Sequence, residues 1–242
     1  MTASLPETLT IPARFNGPPG SANGGYTCGR VAQLVGAEEV EVSLRKPPPL
    51  DQPLEVVRDG ERVELRDGDT LIAEGRPTEL LLDVPDPVER DKVAAAEQRG
   101  RERWTADHPF PTCVVCGPER DADDGMRIFP ADVSGQDMLF GACWTPREQD
   151  GDGDGWVRPE LVWAALDCPT SAPVANFAEG PPMVLASLAA RLGCPVRVGE
   201  SHTILSWRTE VDGRKRRSAA ALYDSEGVFI CGSQALWIQL RE

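Results

Sequence analysis

Residues 15–35 read FNGPPGSANGGYTCGRVAQLV, a polar segment crowded with glycine that runs into a stretch of moderate helix character. Gly17, Gly20, Gly24 and Gly25 let the backbone turn tightly and approach a ligand closely, and the start of a helix leaves amide N–H groups without partners. Together these features predict a seat for an oxygen carrying negative charge. The plainer reading is a loop entering a buried helix. What separates the two lies further along the chain.

At 242 residues the chain has room for one large domain or two smaller ones. It contains no apolar run long enough to span a bilayer, and its N-terminus, MTASLPETLTIPARF, lacks the basic start and apolar core of a signal peptide. A cytoplasmic location is expected. The net charge of −14 argues against nucleic acid and anionic membrane surfaces as partners, but leaves room for a small anionic ligand held by a local basic patch. The 7 cysteines, odd in number and scattered, read as reduced thiols, several of them buried.

Working outward from the glycine-rich turn, residues 1–10 are expected to be loose, with a strand possible from Thr8 to Phe15. Val40–Leu44 alternates apolar and polar residues as a half-buried strand does. Prolines 47–49 bend the chain. Leu54–Val57 and Arg62–Arg66 then flank Asp59-Gly60, a hairpin signal, and Thr70–Ala73 forms a further strand resuming through Leu80–Leu82. Asp86-Pro87 caps a solvated helix over VERDKVAAAEQRGRERW. Beyond Cys113 the pattern starts again. Met126–Phe129 and Met138–Trp144 read as strands, and Arg158–Cys168 as a helix that Pro169 stops or kinks. MVLASLAARL (183–192) has helix propensity, although Pro195 and Gly199 follow where the first half has its proline bend. Asp212-Gly213 marks a hairpin between strands, and Val228–Leu240 is the final strand.

These landmarks pair off: Gly24 with Pro159, Pro47 with Pro195, the Asp59 hairpin with the Asp212 hairpin, and Ile72 with Ile230. The spacing between partners widens steadily, as expected of a duplicated unit with longer loops in its second copy. A helix followed by four antiparallel strands, taken twice, describes a curved sheet wrapped round a central helix. The expected class is therefore α+β, with two curved antiparallel sheets, each around its own helix, packed as a pseudo-dimer. The units are residues 1–84 and 113–242, joined by a connector at 85–112 that carries a surface helix.

The chain resembles the hotdog-fold thioesterases, in particular the family of phenylacetate-degradation and hydroxybenzoyl-CoA thioesterases. That family has an Asn-Gly turn, a His-Gly-Gly step into the helix, and a catalytic Asp eight residues beyond the first of those glycines. NGPPGSANGG resembles the first two features, with Asn16-Gly17 and Gly24-Gly25, a turn one residue longer, and Asn23 where the family has His. Ala32 stands at the position of the carboxylate, beside Gln33. In the second half VRPELVWAALDC supplies Asp167 eight residues beyond Pro159, but Arg158-Pro159-Glu160 replaces His-Gly-Gly, and proline has no N–H to offer. CVVCGPERDADDGMRIF and the final ALYDSEGVFICGSQALWI resemble the family's opening and closing segments.

The resemblance implies one composite site per chain for an acyl-thioester, and in particular acyl-CoA, hydrolase. Gly24 and Gly25 would hold the oxyanion with Asn23 or Asn16 assisting, and Asp167 would act as nucleophile or as general base for water. Tyr26 is grouped with Asn16 at the substrate. Arg214, Arg216 and Arg217, conspicuous in so acidic a chain, would meet the phosphates of coenzyme A, the plainer reading being a solvated hairpin. Coenzyme A enters as part of the substrate, no separate cofactor is expected, and a homodimer is implied only by analogy. Asp167 lies in an apolar stretch near a helix C-terminus, and both circumstances raise a carboxyl pKa. The alternative is a protein that binds acyl thioesters or assists assembly without turning them over, because each half lacks what the other has.

Other features carry less. Cys113-x-x-Cys116 with His108 upstream invites a zinc site, but no fourth ligand is evident; the resemblance implies a tight turn there, no metal is assigned, and whether the pair binds one stays open. Asp150, Asp152 and Asp154 mimic the start of a calcium loop without its closing Glu, and read as a solvated acidic loop. Ser187 and Gln234 fall near where the family places a polar helper, but read as ordinary strand residues. The only histidines, His108 and His202, sit on neither central helix, which weakens a dehydratase reading of the same fold.

Overall fold

The computed structural model describes residues 7–136, 138–175 and 181–241; the segment 1–6, part of the stretch expected to be loose, lies outside them. The first half of the chain contains β1 (Thr8–Thr10), α1 (Gly24–Val35), β2 (Glu39–Leu44), β3 (Pro53–Asp59), β4 (Arg62–Asp67) and β5 (Thr70–Pro77). After α2 (Arg90–Asp107), the second half contains β6 (Ala131–Asp132), β7 (Leu139–Trp144), α3 (Pro159–Ser171), β8 (Met183–Leu192), β9 (His202–Asp212), β10 (Lys215–Tyr223) and β11 (Phe229–Gln239).

Local chemistry explains the boundaries. Asn23 caps α1 by accepting the Tyr26 N–H at 2.8 Å, and Gly36 ends the helix in the left-handed conformation at φ 74°. Pro159 opens α3, where its missing N–H costs nothing. The helix then runs through Pro169 to Ser171 rather than stopping at Cys168. Hydroxyls serve the carbonyls around that interruption: Ser233 Oγ donates to Leu166 O and Thr170 Oγ1 to Asp167 O. Gly60 and Gly213, at φ 59° and 55°, turn the β3–β4 and β9–β10 hairpins.

The described strands form one eleven-stranded sheet in the order β1-β3-β4-β5-β2-β8-β11-β10-β9-β7-β6. The expected antiparallel strands thus lie in one continuous sheet, as two units side by side can share. Read inward from either edge, β1-β3-β4-β5-β2 and β7-β9-β10-β11-β8 are the same sequence of elements, with β6 added outside β7. The halves join where β2 and β8 pair antiparallel, Val42 opposite Leu188 and Ser43 opposite Ser187. Each half thereby covers a strand edge of the other that would otherwise leave N–H and C=O groups unpaired.

Helices α1 and α3 pack against each other at very close range. A Cβ added at Gly25 would stand 2.4 Å from Asp167 Cβ, and one at Gly29 would stand 2.6 Å from Glu160 Cα. Glycines four residues apart share a helix face, so the pair makes a smooth strip along which one backbone meets the other.

MVLASLAARL forms β8, in keeping with the strand reading of Ser187, because pairing with β2 and β11 on its two edges and burial of Leu188 and Ala190 outweigh its helix propensity. Other expectations are corrected. Met126–Phe129 is not a strand, since the Met126 and Ile128 N–H groups are taken by Val114 O and Val115 O of the cysteine loop. β5 ends at Pro77, so Leu80–Leu82 does not resume it. The connector helix begins at Arg90, past Asp86-Pro87, and is not simply solvated. Val93, Ala96 and Trp104 are buried, and Trp104 Nε1 donates to Pro130 O at 3.0 Å. In the acidic loop Asp150 is buried and accepts the Arg147 N–H, while Asp152 accepts the N–H groups of Asp154 and Trp156.

Gly29→Ala should lower stability by about 1–3 kcal/mol, the usual cost of overpacking. Gln98→Ala, on the exposed side of α2, should stay within about 0.5 kcal/mol of the parent. Urea denaturation of the two variants checks the difference; equal midpoints would mean that the helices can move apart without cost.

Candidate active site

The glycine strip brings a carboxylate to a helix start. Asp167, on α3 and 2% exposed, accepts the Gly25 N–H on Oδ2 at 2.7 Å. The Asn23 side-chain amide reaches the same oxygen at 3.3 Å. Oδ1 is buried and has no hydrogen-bond partner among the described residues. Asn23 thus does two jobs: its Oδ1 caps α1 while its Nδ2 supports the carboxylate. Burial pushes the Asp167 carboxyl from 3.8 up to about 7. The Gly25 and Asn23 donors oppose that rise, and the Cys113 sulfur adds to it.

Beside this pair lie three buried cysteines. Cys113 and Cys168 sulfurs are 3.8 Å apart, and Asn23 Nδ2 points to them from 3.8 and 3.7 Å. Hydrogen bonds from the Cys116 and Cys168 thiols hold Cys113 well below the ordinary thiol value, helped by the Cys116 and Val115 backbone amides. The burial of Cys116 and the thiol bond from Cys168 to Cys113 push those two the other way. His108 Nδ1 accepts the Phe110 N–H at 2.8 Å, which leaves its proton on Nε2, 3.2 Å from Cys116 Sγ.

A cavity of about 490 Å³ opens over Asn23, Gly24, Asp167 and the cysteines. Its walls are apolar: Leu44, Met183 and Leu185 from strands flanking the central seam, Trp237 from β11, and Trp104 and Phe110 from the connector. Gly24 lines the cavity in the first turn of α1, where helical N–H groups have no intrahelical partner. Arg45 and Lys46, both exposed, also line it. Size and lining suit an apolar chain with a polar head.

Of the residues named from sequence, Asn23, Gly24, Gly25 and Asp167 come together here. Asn16 donates to Thr112 Oγ1 and Gly17 O, at the edge of the glycine turn. Tyr26 is buried and stacked on Phe15 with ring centroids 4.0 Å apart. Neither lines the cavity. Nor do the three arginines of the β9–β10 hairpin: Arg214 donates to Gln239 O, Arg216 to Val174 O, and Arg217 pairs with Glu210. Ser187 and Gln234 also lie outside it. Sequence reading missed Arg45 and Lys46, although Lys46 stands directly before the first proline bend. It also missed Cys168 as a partner of the Cys113–Cys116 pair, for which its place beside Asp167 was the available signal.

No protein-family model and no curated protein matches the chain. Solved structures do match in fold. The tesB protein of Mycobacterium avium subsp. paratuberculosis superposes with TM-score 0.59 at 14% identity, over 96% of this chain and 91% of that one. Acyl-CoA thioesterase II TesB2 of Mycobacterium marinum gives 0.55 at 15%, over 92% of each chain. A protein of unknown function with a hotdog fold from Alicyclobacillus acidocaldarius gives 0.56 at 8%, over 97% and 93%. The chain therefore shares the hotdog fold along nearly its whole length. Among the described residues no helix is long and apolar enough to cross a membrane.

Because the folded state raises the Asp167 pKa from 3.8 to about 7, it binds that proton more tightly than the unfolded chain does. The associated stability is present below about pH 4 and is lost as pH rises through about 7. Asp167→Asn, in reduced protein kept free of divalent metal, should therefore gain thermal stability relative to the parent as pH is raised. The gain should reach on the order of a few kcal/mol by pH 8 and shrink towards pH 4. Paired melting curves across this range check the sign; a difference that does not change with pH would show that Asp167 titrates normally.

Proposed function

We propose that the chain is an acyl-thioester hydrolase acting on acyl-CoA, built as a double hotdog. In this reading residues 1–84 and 113–242 are the two units of a pseudo-dimer, joined through 85–112, and the site is composite. The observation that carries it is the buried Asp167 carboxylate, delivered by the second helix to the first turn of the other at the head of an apolar cavity. The names of the tesB and acyl-CoA thioesterase II fold neighbours agree with this reading.

The chemistry follows from the geometry. The acyl chain lies among Leu44, Leu185 and Trp237, with the thioester carbonyl at Gly24. Asp167, through Oδ1, takes a proton from water as the water oxygen bonds to the carbonyl carbon. The tetrahedral oxyanion is held by the Gly24 N–H at the positive end of α1. Collapse breaks the carbon–sulfur bond, and the thiolate leaves with the proton that Asp167 took up. A base with a pKa near 7 suits this task at neutral pH. Lys46, which lines the cavity, would meet the phosphates of coenzyme A in place of the Arg214 hairpin, with Arg45 beside it bonded to Glu74.

One observation favours the non-catalytic alternative. The Gly25 N–H, expected at the oxyanion, is already bound to Asp167, so Gly24 is left as the backbone donor for the carbonyl. Thiol release from a panel of acyl-CoA chain lengths decides between the readings. Asp167→Asn should cut kcat by about 10²–10⁴ with KM little changed. Lys46→Ala should raise KM severalfold for acyl-CoA but not for the same acyl group on a phosphate-free thiol. Saturable acyl-CoA binding by the parent with no thiol released at any chain length would establish the binder.

A further inference from the structure

The cysteine group beside Asp167 has a geometry that hydrolysis does not use. Cys113, Cys116 and Cys168 hold their sulfurs within 4.8 Å of one another, all buried. The Cys113–Cys168 separation is 3.8 Å, far beyond a disulfide bond. It matches the edge of a tetrahedron around an ion with metal–sulfur bonds of about 2.3 Å, whose ligands stand about 3.8 Å apart. Cys113-Val114-Val115-Cys116-Gly117 is a tight knuckle. Gly117 N donates to Cys113 O at 2.8 Å, and a Cβ at Gly117 would fall 2.5 Å from that oxygen.

The polar groups around the sulfurs are donors. Asn23 Nδ2 faces Cys113 and Cys168, His108 Nε2–H faces Cys116, and the Val115 and Cys116 amides face Cys113. Donors converging on sulfur suit thiolates. As thiolates, three sulfurs buried together beside a carboxylate would need a cation to offset their charge.

We propose that Cys113, Cys116 and Cys168 bind one thiophilic divalent cation of the zinc class as thiolates, with the fourth position left to the cavity. His108 serves as a donor to the Cys116 sulfur rather than as a ligand, because its Nδ1 lone pair is committed to the Phe110 N–H. Binding releases the thiol protons to solvent and ties the knuckle at the start of the second half to α3, one residue from Asp167. The site stands independently of the hydrolase reading, since its ligands and its charge balance do not depend on turnover.

Cobalt(II) is the probe. Reduced, metal-stripped protein titrated with Co²⁺ should show thiolate-to-metal charge transfer and intense four-coordinate ligand-field bands that saturate at one equivalent, and Zn²⁺ should abolish them. Cys168→Ser and Cys113→Ser should weaken Co²⁺ binding at least 100-fold, while Cys194→Ser, at an exposed cysteine, should not change it. His108→Gln should retain the charge-transfer band. Zinc-edge X-ray absorption of the zinc-loaded parent should give three sulfur neighbours at about 2.3 Å, a test that holds even if a cysteine variant does not fold. Absence of the charge-transfer band, an unchanged band in folded Cys168→Ser, or a first shell of nitrogen and oxygen alone would overturn the assignment.

Discussion

Where α1 crosses α3, backbone lies on backbone, and the rest of the centre follows from that approach. A side chain on Gly25 would occupy the place of Asp167 Cβ, and one on Gly29 would occupy that of Glu160 Cα. Because nothing projects from these positions, the first turn of α1 comes within hydrogen-bond reach of a carboxylate borne by the other helix. Spacing the helices further apart to admit even a methyl group would break that bond and unseat the Asn23 amide from the same oxygen. The glycines expected to serve a ligand therefore serve packing first, and packing creates the site.

The same contact distinguishes the two related crossings of the helices. Gly25 and Glu160 hold equivalent places in the two helices, one residue past Gly24 and Pro159, and Ala32 holds the place of Asp167. At the related crossing Ala32 carries no acid, and Glu160 is buried and accepts from Gln33 Nε2 at 2.8 Å. A proline at that helix start removes a donor, and a Glu side chain fills space that Gly25 leaves open on the other side. One crossing thus became a polar pocket and the other a hydrogen-bonded plug. Both hold the helices together, but only one brings a carboxylate to a helix start.

Much of this was legible in the sequence because it is written in local signals. Asp59-Gly60 and Asp212-Gly213 name their own turns, the glycine-rich turn runs into α1, and the matching order of landmarks implied the repeated strand order. What was hidden depends on partners distant in sequence. MVLASLAARL reads as helix until β2 and β11 occupy its edges. Met126–Phe129 looks like a strand, but the cysteine loop takes its amides. The burial on α2 follows Val93, Ala96 and Trp104, a stripe too narrow to stand out among its charges. Cys168 joins the Cys113–Cys116 pair only through the path of α3, and the Arg214 hairpin, conspicuous by composition, turns away to bond β11 and Val174 O.

The site sets burial against donors, and burial prevails. Two hydrogen bonds to Oδ2 and the positive end of α1 all favour the ionised carboxyl. In water such support would drive Asp167 below its ordinary range; here its pKa still climbs to about 7. The enclosing apolar residues therefore cost the charge more than the donors return, with the nearby Cys113 sulfur adding to the cost. Neither influence alone would leave the carboxyl titrating near neutrality. Without the donors the carboxyl pKa would lie higher still, and without burial it would lie lower. The Gly25 contact supplies both at once, since the close crossing that buries Asp167 is the one that aims an amide at it.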